Sequence, residues 1–528
     1  MPSYLHPGVY IEEIPSGSRP IEGVATSVTA FVGVTQRNSL NQNKPVLIGS
    51  MDDYLAKFGP ILSSTDSMGL AVQAFYLNGG TTAYICPLST DSVTATETFG
   101  GFDVSAKGDG PWGNLLYIRI SNVDGTAEIF DLEVGTRNST GTFYAAEKYE
   151  GVSLDSAEAL YIVDVVDESS SLIEISFTDT TMPTATASAG SPLLTGGQTS
   201  PTASDFTSFY NKTLRKIRDV SIIILPGQNW AADGTGNDII SATRSHCEKM
   251  KNRMLILDPP EITELTDAGT VTTMSLPTST YTVLYYPWVG MSNPLFHPDK
   301  NPAVSKTVYV APSAIAAGMW SKIDAKRGVW KAPAGVEAQL TGAASLKYQV
   351  DNLEQDQLNP LGINCIRKLA NYGSVFWGSR SLATKADPEW RYVPVRRTAI
   401  YIEESIYNGI QWAVFEPNAH PLWSSLRANI GSFMNGLFRA GAFQGQTAND
   451  AYFVRCGLGD TMTQGDIDRG QVIVTIGFAP LKPAEFVIVR IQQKVGEEET
   501  YSVNIIFITT ILSSKLLGRN RWLLQHFR

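Results

Sequence analysis

The sequence predicts an α+β, multidomain protein built on an α/β layered core, and three observations lead there. Near the N-terminus a β-branched and aromatic run, Thr26 to Val34, is followed by two helical segments and a second strand, the βαβ order of a layered sheet. From residue 206 onward, continuous apolar strands alternate with helices, as in a sheet covered on both faces. Between these regions, residues 91–205 become rich in Thr, Ser, Gly and Asp, with short alternating strands, which marks a β-rich insertion. A chain of 528 residues exceeds a single compact core, so about two to four domains are expected.

Taken in order, residues 1–25 read as an arm. Pro7-Gly8 precedes a short strand, Val9 to Ile14, that has nothing before it to pair with. Unpaired backbone N–H and C=O groups on such a segment favour pairing with another chain. About five to seven backbone hydrogen bonds at roughly 1 kcal/mol each would nearly cancel the ordering entropy of the segment. Affinity therefore has to come from Val9, Tyr10, Ile11 and Ile14, at about 1.5–3 kcal/mol per large side chain buried.

Residues 26–90 and 206–340 make the middle α/β domain. Thr26 to Val34 is a buried strand, Met51 to Phe58 and Met68 to Leu77 are helices, and Asn78-Gly79-Gly80 stops the second helix. Tyr84 to Leu88 is the next strand. Beyond the inserted domain, 91–205, a helix from Phe206 leads to strand Val220 to Leu225. A helix over 237–251 then leads to strand Met254 to Leu257. Further strands are expected at Val283 to Val289 and Val308 to Val310, and a helix at Ser313 to Ile323.

Residues 341–470 read as a C-terminal domain, with a strand at Val375 to Ser379 and helices at Pro394 to Ile410 and Pro421 to Ala440. In the last helix Leu422, Leu426, Ile430, Phe433 and Leu437 form an apolar stripe. Ser424, Ala428, Ser432, Asn435 and Arg439 lie on the polar side, with Arg427 at its margin. Residues 471–495 carry two more strands. In the first, Val472, Val474, Ile476 and Phe478 share one face, with Ile473 opposite. In the second, Phe486 and Ile488 share one face and Val487, Val489 and Ile491 the other, so that strand expects cover on both sides. Residues 496–528 add an acidic spacer, the apolar run Tyr501 to Leu512 and a basic tail. Closure of all three terminal strands into a sheet of their own chain stands beside exchange between chains.

Composition narrows the function. The net charge of −10 argues against a nucleic-acid partner. Cys86, Cys247, Cys365 and Cys456 are widely separated with no CxxC pair, which fits buried, reduced thiols of a chain folded in a cytosol. Pro7 and Glu12 stand where an export signal needs a basic region and an apolar core. The run Tyr501 to Leu512 is too short to span a bilayer. No phosphate-binding, zinc-protease or nucleophile-elbow motif is present. Gly234-Thr235-Gly236-Asn237 lacks the lysine and spacing of a phosphate cradle and reads as an ordinary loop. The five histidines are isolated from one another. No catalytic, cofactor-binding or metal-binding residues are assigned. Arg396-Arg397 and Glu403-Glu404 fit an ion-pair ladder, within the chain or between chains.

Several segments act together: PGVYIEEIPSGSRPIEGVATS followed by AFVG, then Phe75 to Gly80 (FYLNGG) and Gly110 to Asn114 (GPWGN). Further on come Arg396 to Ser405 (RRTAIYIEES), Val414 to Asn418 (VFEPN) and Leu481 to Phe486 (LKPAEF). In this order, over most of the chain outside the insertion, they resemble the contractile tail sheath family of phages and extracellular injection systems. The resemblance implies a structural subunit, not an enzyme. It implies stacked hexameric rings around an inner tube, and a C-terminal domain whose sheet is completed by arms from neighbouring subunits. It implies contraction that drives the tube through a target membrane, with no cofactor. The implied partners are other copies of the chain, the inner tube protein, and baseplate and terminator or cap proteins; the membrane is met only through the tube. Assembly would take place in a bacterial host cytoplasm, giving part of a phage tail or an injection particle. Val9, Tyr10, Ile11, Ile14, Val472, Val474, Ile476, Phe486 and Ile488 become inter-subunit contacts. The helix from Pro421 becomes the tube-facing one, with Arg427, Asn435 and Arg439 as its contacts. The usual family chain ends near Gln493, so residues 496–528 depart from the pattern. The alternatives are an α/β enzyme with a β-rich lid, and a shell- or adhesin-type surface protein.

Overall fold

The computed structural model describes residues 20–37, 43–88, 90–138, 140–194, 196–383 and 387–485. The arm residues Val9, Tyr10, Ile11 and Ile14, the strand residues Phe486 and Ile488, and all of 496–528 lie outside them.

The middle domain is an eight-stranded sheet. In chain order its strands are β1 (Thr29–Gly33), β2 (Val46–Ile48), β3 (Ala83–Pro87), β4 (Ile222–Ile224), β5 (Met254–Leu257), β6 (Thr282–Tyr286), β7 (Ile363–Leu369) and β8 (Gly373–Phe376). Their spatial order is β2-β3-β1-β4-β5-β6-β7-β8. The six inner strands are parallel, and β2 and β8 close the edges antiparallel. Alternate residues of the central strands feed two cores. Phe31, Ile222, Ile224, Met254, Ile256 and Tyr285 pack beneath α1 (Met51–Phe58), α2 (Ser67–Leu77) and α5 (Pro312–Arg327). Ala30, Val32, Ile223, Leu255, Leu257 and Leu284 face α3 (Ala203–Lys212) and α4 (Asn237–Met250). Burial on both sides explains why these strands read as unbroken apolar runs.

The expected boundary at residue 340 falls inside this sheet. Leu284, Tyr285 and Tyr286 of β6 pair with Ile363, Asn364 and Cys365 of β7, and β7 pairs in turn with β8. Residues 335–340 then cover β8, with Leu340 N donating to Ser374 O and Phe376 N to Ala338 O.

Between Thr90 and Thr199 the chain makes three antiparallel sheets of three, four and two strands. They enclose a core of their own that includes Phe102, Trp112, Ile118, Phe130, Leu132 and Ile173. Arg37 roots this insertion: its Nε donates to Lys107 O at 2.6 Å and its guanidinium lies 4.7 Å from the Trp112 ring. A second attachment joins Tyr144 Oη and Asn138 Nδ2 to Lys300 O, both at 2.9 Å.

After Leu382 the chain builds on two long helices, α6 (Val393–Gly409) and α7 (His420–Arg439), and a small hairpin-like pair, β9 (Tyr452–Arg455) and β10 (Thr475–Phe478). All four cysteines are buried and unpaired by disulfides.

Candidate assembly surfaces

The β9–β10 pair is a two-stranded antiparallel sheet whose inner face is apolar. Tyr452 and Val454 of β9, with Val474, Ile476 and Phe478 along β10, pack on Ile402, Ile406, Ile430, Met434, Leu437 and Phe443. Val472 and Val474 also meet a second cluster with Leu422, Trp423, Leu426 and Met462. Ile473 points outward and is 39 % exposed. The face assignment read from the alternation therefore holds. Val472, Val474 and Ile476 nevertheless lie on their own domain rather than projecting as a free arm, because α6 and α7 offer an apolar floor within reach. Phe453 covers Gly477 across the pair, where a β-carbon would fall 2.3 Å from the Phe453 ring. Among the described residues neither strand has a partner on its far side, apart from Gln444 N donating to Ala479 O and the bridge between Phe443 and Pro480. A two-stranded ribbon is marginal by itself, so this is a sheet with room for more strands.

The inner stripe of α7 is Leu422, Trp423, Leu426, Ile430, Met434 and Leu437. Phe433, expected on this stripe, is half-buried beside it. The exposed side presents Pro421, Ser425, Ala428, Ser432, Gly436 and Arg439, a smooth row of small residues ending in one charge. The three predicted contact residues differ in placement. Arg439 is exposed and Asn435 half-buried. Arg427 is turned inward: its guanidinium donates to Cys456 O, and Nη2 donates to Ser424 Oγ at 3.2 Å.

Three of the four charged groups of α6, Arg396, Arg397 and Glu404, are used within the chain, and each meets a different element, while Glu403 is exposed. Arg397 grips Asp324 of α5 with both terminal nitrogens, at 2.8 and 2.5 Å, with both side chains almost fully buried. Its guanidinium also stacks 4.5 Å from Trp320. Arg396 lies over Trp390 at 3.6 Å and Tyr281 at 4.5 Å, and burial lowers its pKa from the ordinary guanidinium value. Glu404 pairs with Arg218 at 2.5 Å, and Arg218 stacks on Tyr407. Local spacing suggested a ladder along the helix; the pairing partners are distant in sequence and were not readable from it.

Two further motifs are held within the fold. The 234–237 loop is closed on itself: the Asn237 side chain bonds both N and O of Ala231, and Thr235 N donates to Asp233 Oδ1. His246 stacks on Tyr210 at 4.7 Å, and burial lowers its pKa to about 3. Among the described residues no group of three or more His, Cys, Asp or Glu is placed to hold a metal, and no helix is long and apolar enough to cross a membrane.

Residues 199–382 match the phage tail sheath protein central domain, and residues 385–494 match the phage tail sheath C-terminal domain, together just over half the chain. The junction at 382–385 coincides with the end of the eight-stranded sheet. The chain is 25 % identical over 173 residues to the tail sheath protein of Vibrio phage KVP40 and 27 % identical over 175 residues to a putative prophage major tail sheath protein of Pseudomonas aeruginosa. These alignments take in 32 % and 33 % of this chain but only 24 % and 43 % of the relatives' own lengths. Over nearly its whole length the fold is similar to the sheath of an extracellular contractile injection system, PVC, in its contracted state. That similarity has a TM-score of 0.60 at 26 % identity and covers 94 % of this chain and 99 % of the other.

Proposed function

The chain belongs to the phage tail sheath family, and from that membership we propose that it is the sheath subunit of a contractile particle, polymerising as stacked hexameric rings around an inner tube and contracting to drive the tube through a target membrane. The observation that carries this reading is the incomplete β9–β10 sheet on α6 and α7. Its apolar floor is built, and among the described residues its far edges carry no further strand. Residues 7–14 and 485–493 of neighbouring copies supply strands of suitable length and apolar content. Since backbone pairing roughly offsets ordering entropy, the apolar side chains Val9, Tyr10, Ile11, Ile14, Phe486 and Ile488 provide the net attraction.

The exposed row on α7 is the proposed tube-facing surface. Its small side chains permit close approach, and a single exposed charge, Arg439, contributes less than about 1 kcal/mol to any one pair. A contact of this kind holds collectively and releases as subunits move. Arg427, being committed to Cys456 O, acts in that surface only by shaping it. The tube, a baseplate and a cap protein are the proposed partners, in a phage tail or an injection particle assembled in a bacterial host. Contraction is then a change between two packings of the same folded subunits. The energy is stored when the extended form assembles, so no bound nucleotide is required.

Electron microscopy of the purified chain tests the reading. Striated cylinders are expected from the full chain, and folded, non-polymerising monomers from a chain lacking residues 1–19. Compact particles of uniform size from the full chain would overturn it.

A further inference from the structure

The segment that leaves the arm is held against α6 at four points. Ile21 sits in the core formed by α6 and α7 with Ile402, Ile406 and Ile430, and lies so close to Gly409 that a β-carbon there would fall 2.7 Å from it. Two residues on, the Gly23 backbone is pressed against Tyr401, whose hydroxyl would be 1.9 Å from any β-carbon at that position. Val24 N then donates to the buried Ser405 Oγ at 3.1 Å. Thr26 ends the run. Its hydroxyl donates to Asp324 Oδ2 at 2.5 Å, and its carbonyl accepts from Arg397 Nη2 at 2.9 Å. The chain bends there and enters β1, an inner strand of the eight-stranded sheet.

The segment and the stretch of α6 beside it are similar in length. From Gly409 back to Arg397 is twelve residues of helix, about 18 Å at about 1.5 Å per residue. From Ile21 to Thr26 is five residue steps, about 17 Å at roughly 3.3 Å each. The segment therefore runs antiparallel to α6, with a contact at each end and two between.

We propose that Ile21–Thr26 is a strap that passes a pull on the N-terminal arm to α6 in shear, and that the buried Thr26–Asp324–Arg397 cluster is its fastening. This rests on the reading that residues 1–19 join a neighbouring copy. Ile21 loads the α6–α7 core, Thr26 loads α5 through Asp324, and β1 loads the sheet. Tension on the arm then moves both domains together instead of peeling the chain away from either. Arg397 and Asp324 act as positioning residues that hold the strap in register.

Single-molecule pulling on the full chain tests this, with one handle at the N-terminus and one on a cysteine introduced by T235C in an exposed loop of the middle domain. The native strap should show no release before the main unfolding event. Inserting Gly-Ser-Gly between Gly23 and Val24 should add an early, low-force step, whereas the same tripeptide before Pro20 should not. T26V, which keeps the shape of the side chain, should speed strap release at a fixed load by about tenfold, the effect of losing one hydrogen bond to a carboxylate. Early release in the native chain, or an inserted-slack variant identical to it, would overturn the proposal. Failure of the sheath reading would appear separately, as the absence of cylinders.

Discussion

Replacing Arg397 with Met removes one partner of a buried pair and leaves the other in place. Asp324 would lose both guanidinium contacts, at 2.8 and 2.5 Å, and keep only the Thr26 hydroxyl, in a site where the carboxylate is almost fully buried. Thr26 O would lose its donor, and the stacking over Trp320 would be replaced by an uncharged thioether. Leaving one charge of such a pair uncompensated costs about 3–5 kcal/mol. In a domain of this size that corresponds to roughly 6–20 °C in melting temperature. Urea unfolding followed by tryptophan fluorescence reads the change, since Trp320 lies directly beneath the guanidinium. Adding D324N to R397M should recover most of the loss, because a neutral amide needs no counter-charge. An R397M chain within about 1 kcal/mol of the native one would show that the pair is effectively hydrated and would remove the physical basis of the fastening.

Asp258 is fully buried at the start of α5, accepting Ser313 N at 2.8 Å and Ser313 Oγ at 2.6 Å, and burial raises its pKa to about 7. A raised folded pKa means that the folded state holds the proton more tightly than the unfolded one, so this group's contribution is present below about pH 4 and is lost as pH rises through about 7. Urea titrations between pH 5 and 8 should show stability falling with pH, and D258N should flatten that slope. G318A should destabilise by about 1–3 kcal/mol in thermal melts despite alanine's better helix propensity, because its β-carbon would stand 2.4 Å from Phe75 O, a backbone atom of α2 that cannot turn aside. R439E should leave the melting temperature of the isolated chain unchanged while weakening co-assembly with tubes. R427A should cost about 1 kcal/mol in the isolated chain, through its lost bond to Cys456 O.

The regular elements were legible because burial on two faces writes itself into composition. Met51–Phe58 and Met254–Leu257 have the expected bounds, and β1, β3 and α7 differ only at their ends. Strand Phe143–Ser153, with eleven residues, was not foreseen, because one face is solvated and its Ala145, Ala146, Glu147, Lys148 stretch lacks β-branched residues. The continuation of the sheet past residue 340 was hidden by Asn364 in β7. That polar residue is fully buried because its side chain serves Leu284 O, Arg380 O and Arg380 N. The face of β10 was readable from period-2 alternation, but its docking on α7 was not, since that depends on partners some 40 residues away. Arg427 illustrates the limit on sites: helical position put it at the margin of an exposed face, and only the fold shows its guanidinium turned to a backbone carbonyl.

In the proposed polymer, copies of this chain complete one another's sheets. A cryo-EM reconstruction of the polymer, at a resolution that traces the main chain, tests it most directly. Strands from two neighbouring copies are expected, hydrogen-bonded to the far edges of Tyr452–Arg455 and Thr475–Phe478. A polymer in which those edges remain bare, with residues 7–14 and 485–493 folded onto their own subunit, would contradict it.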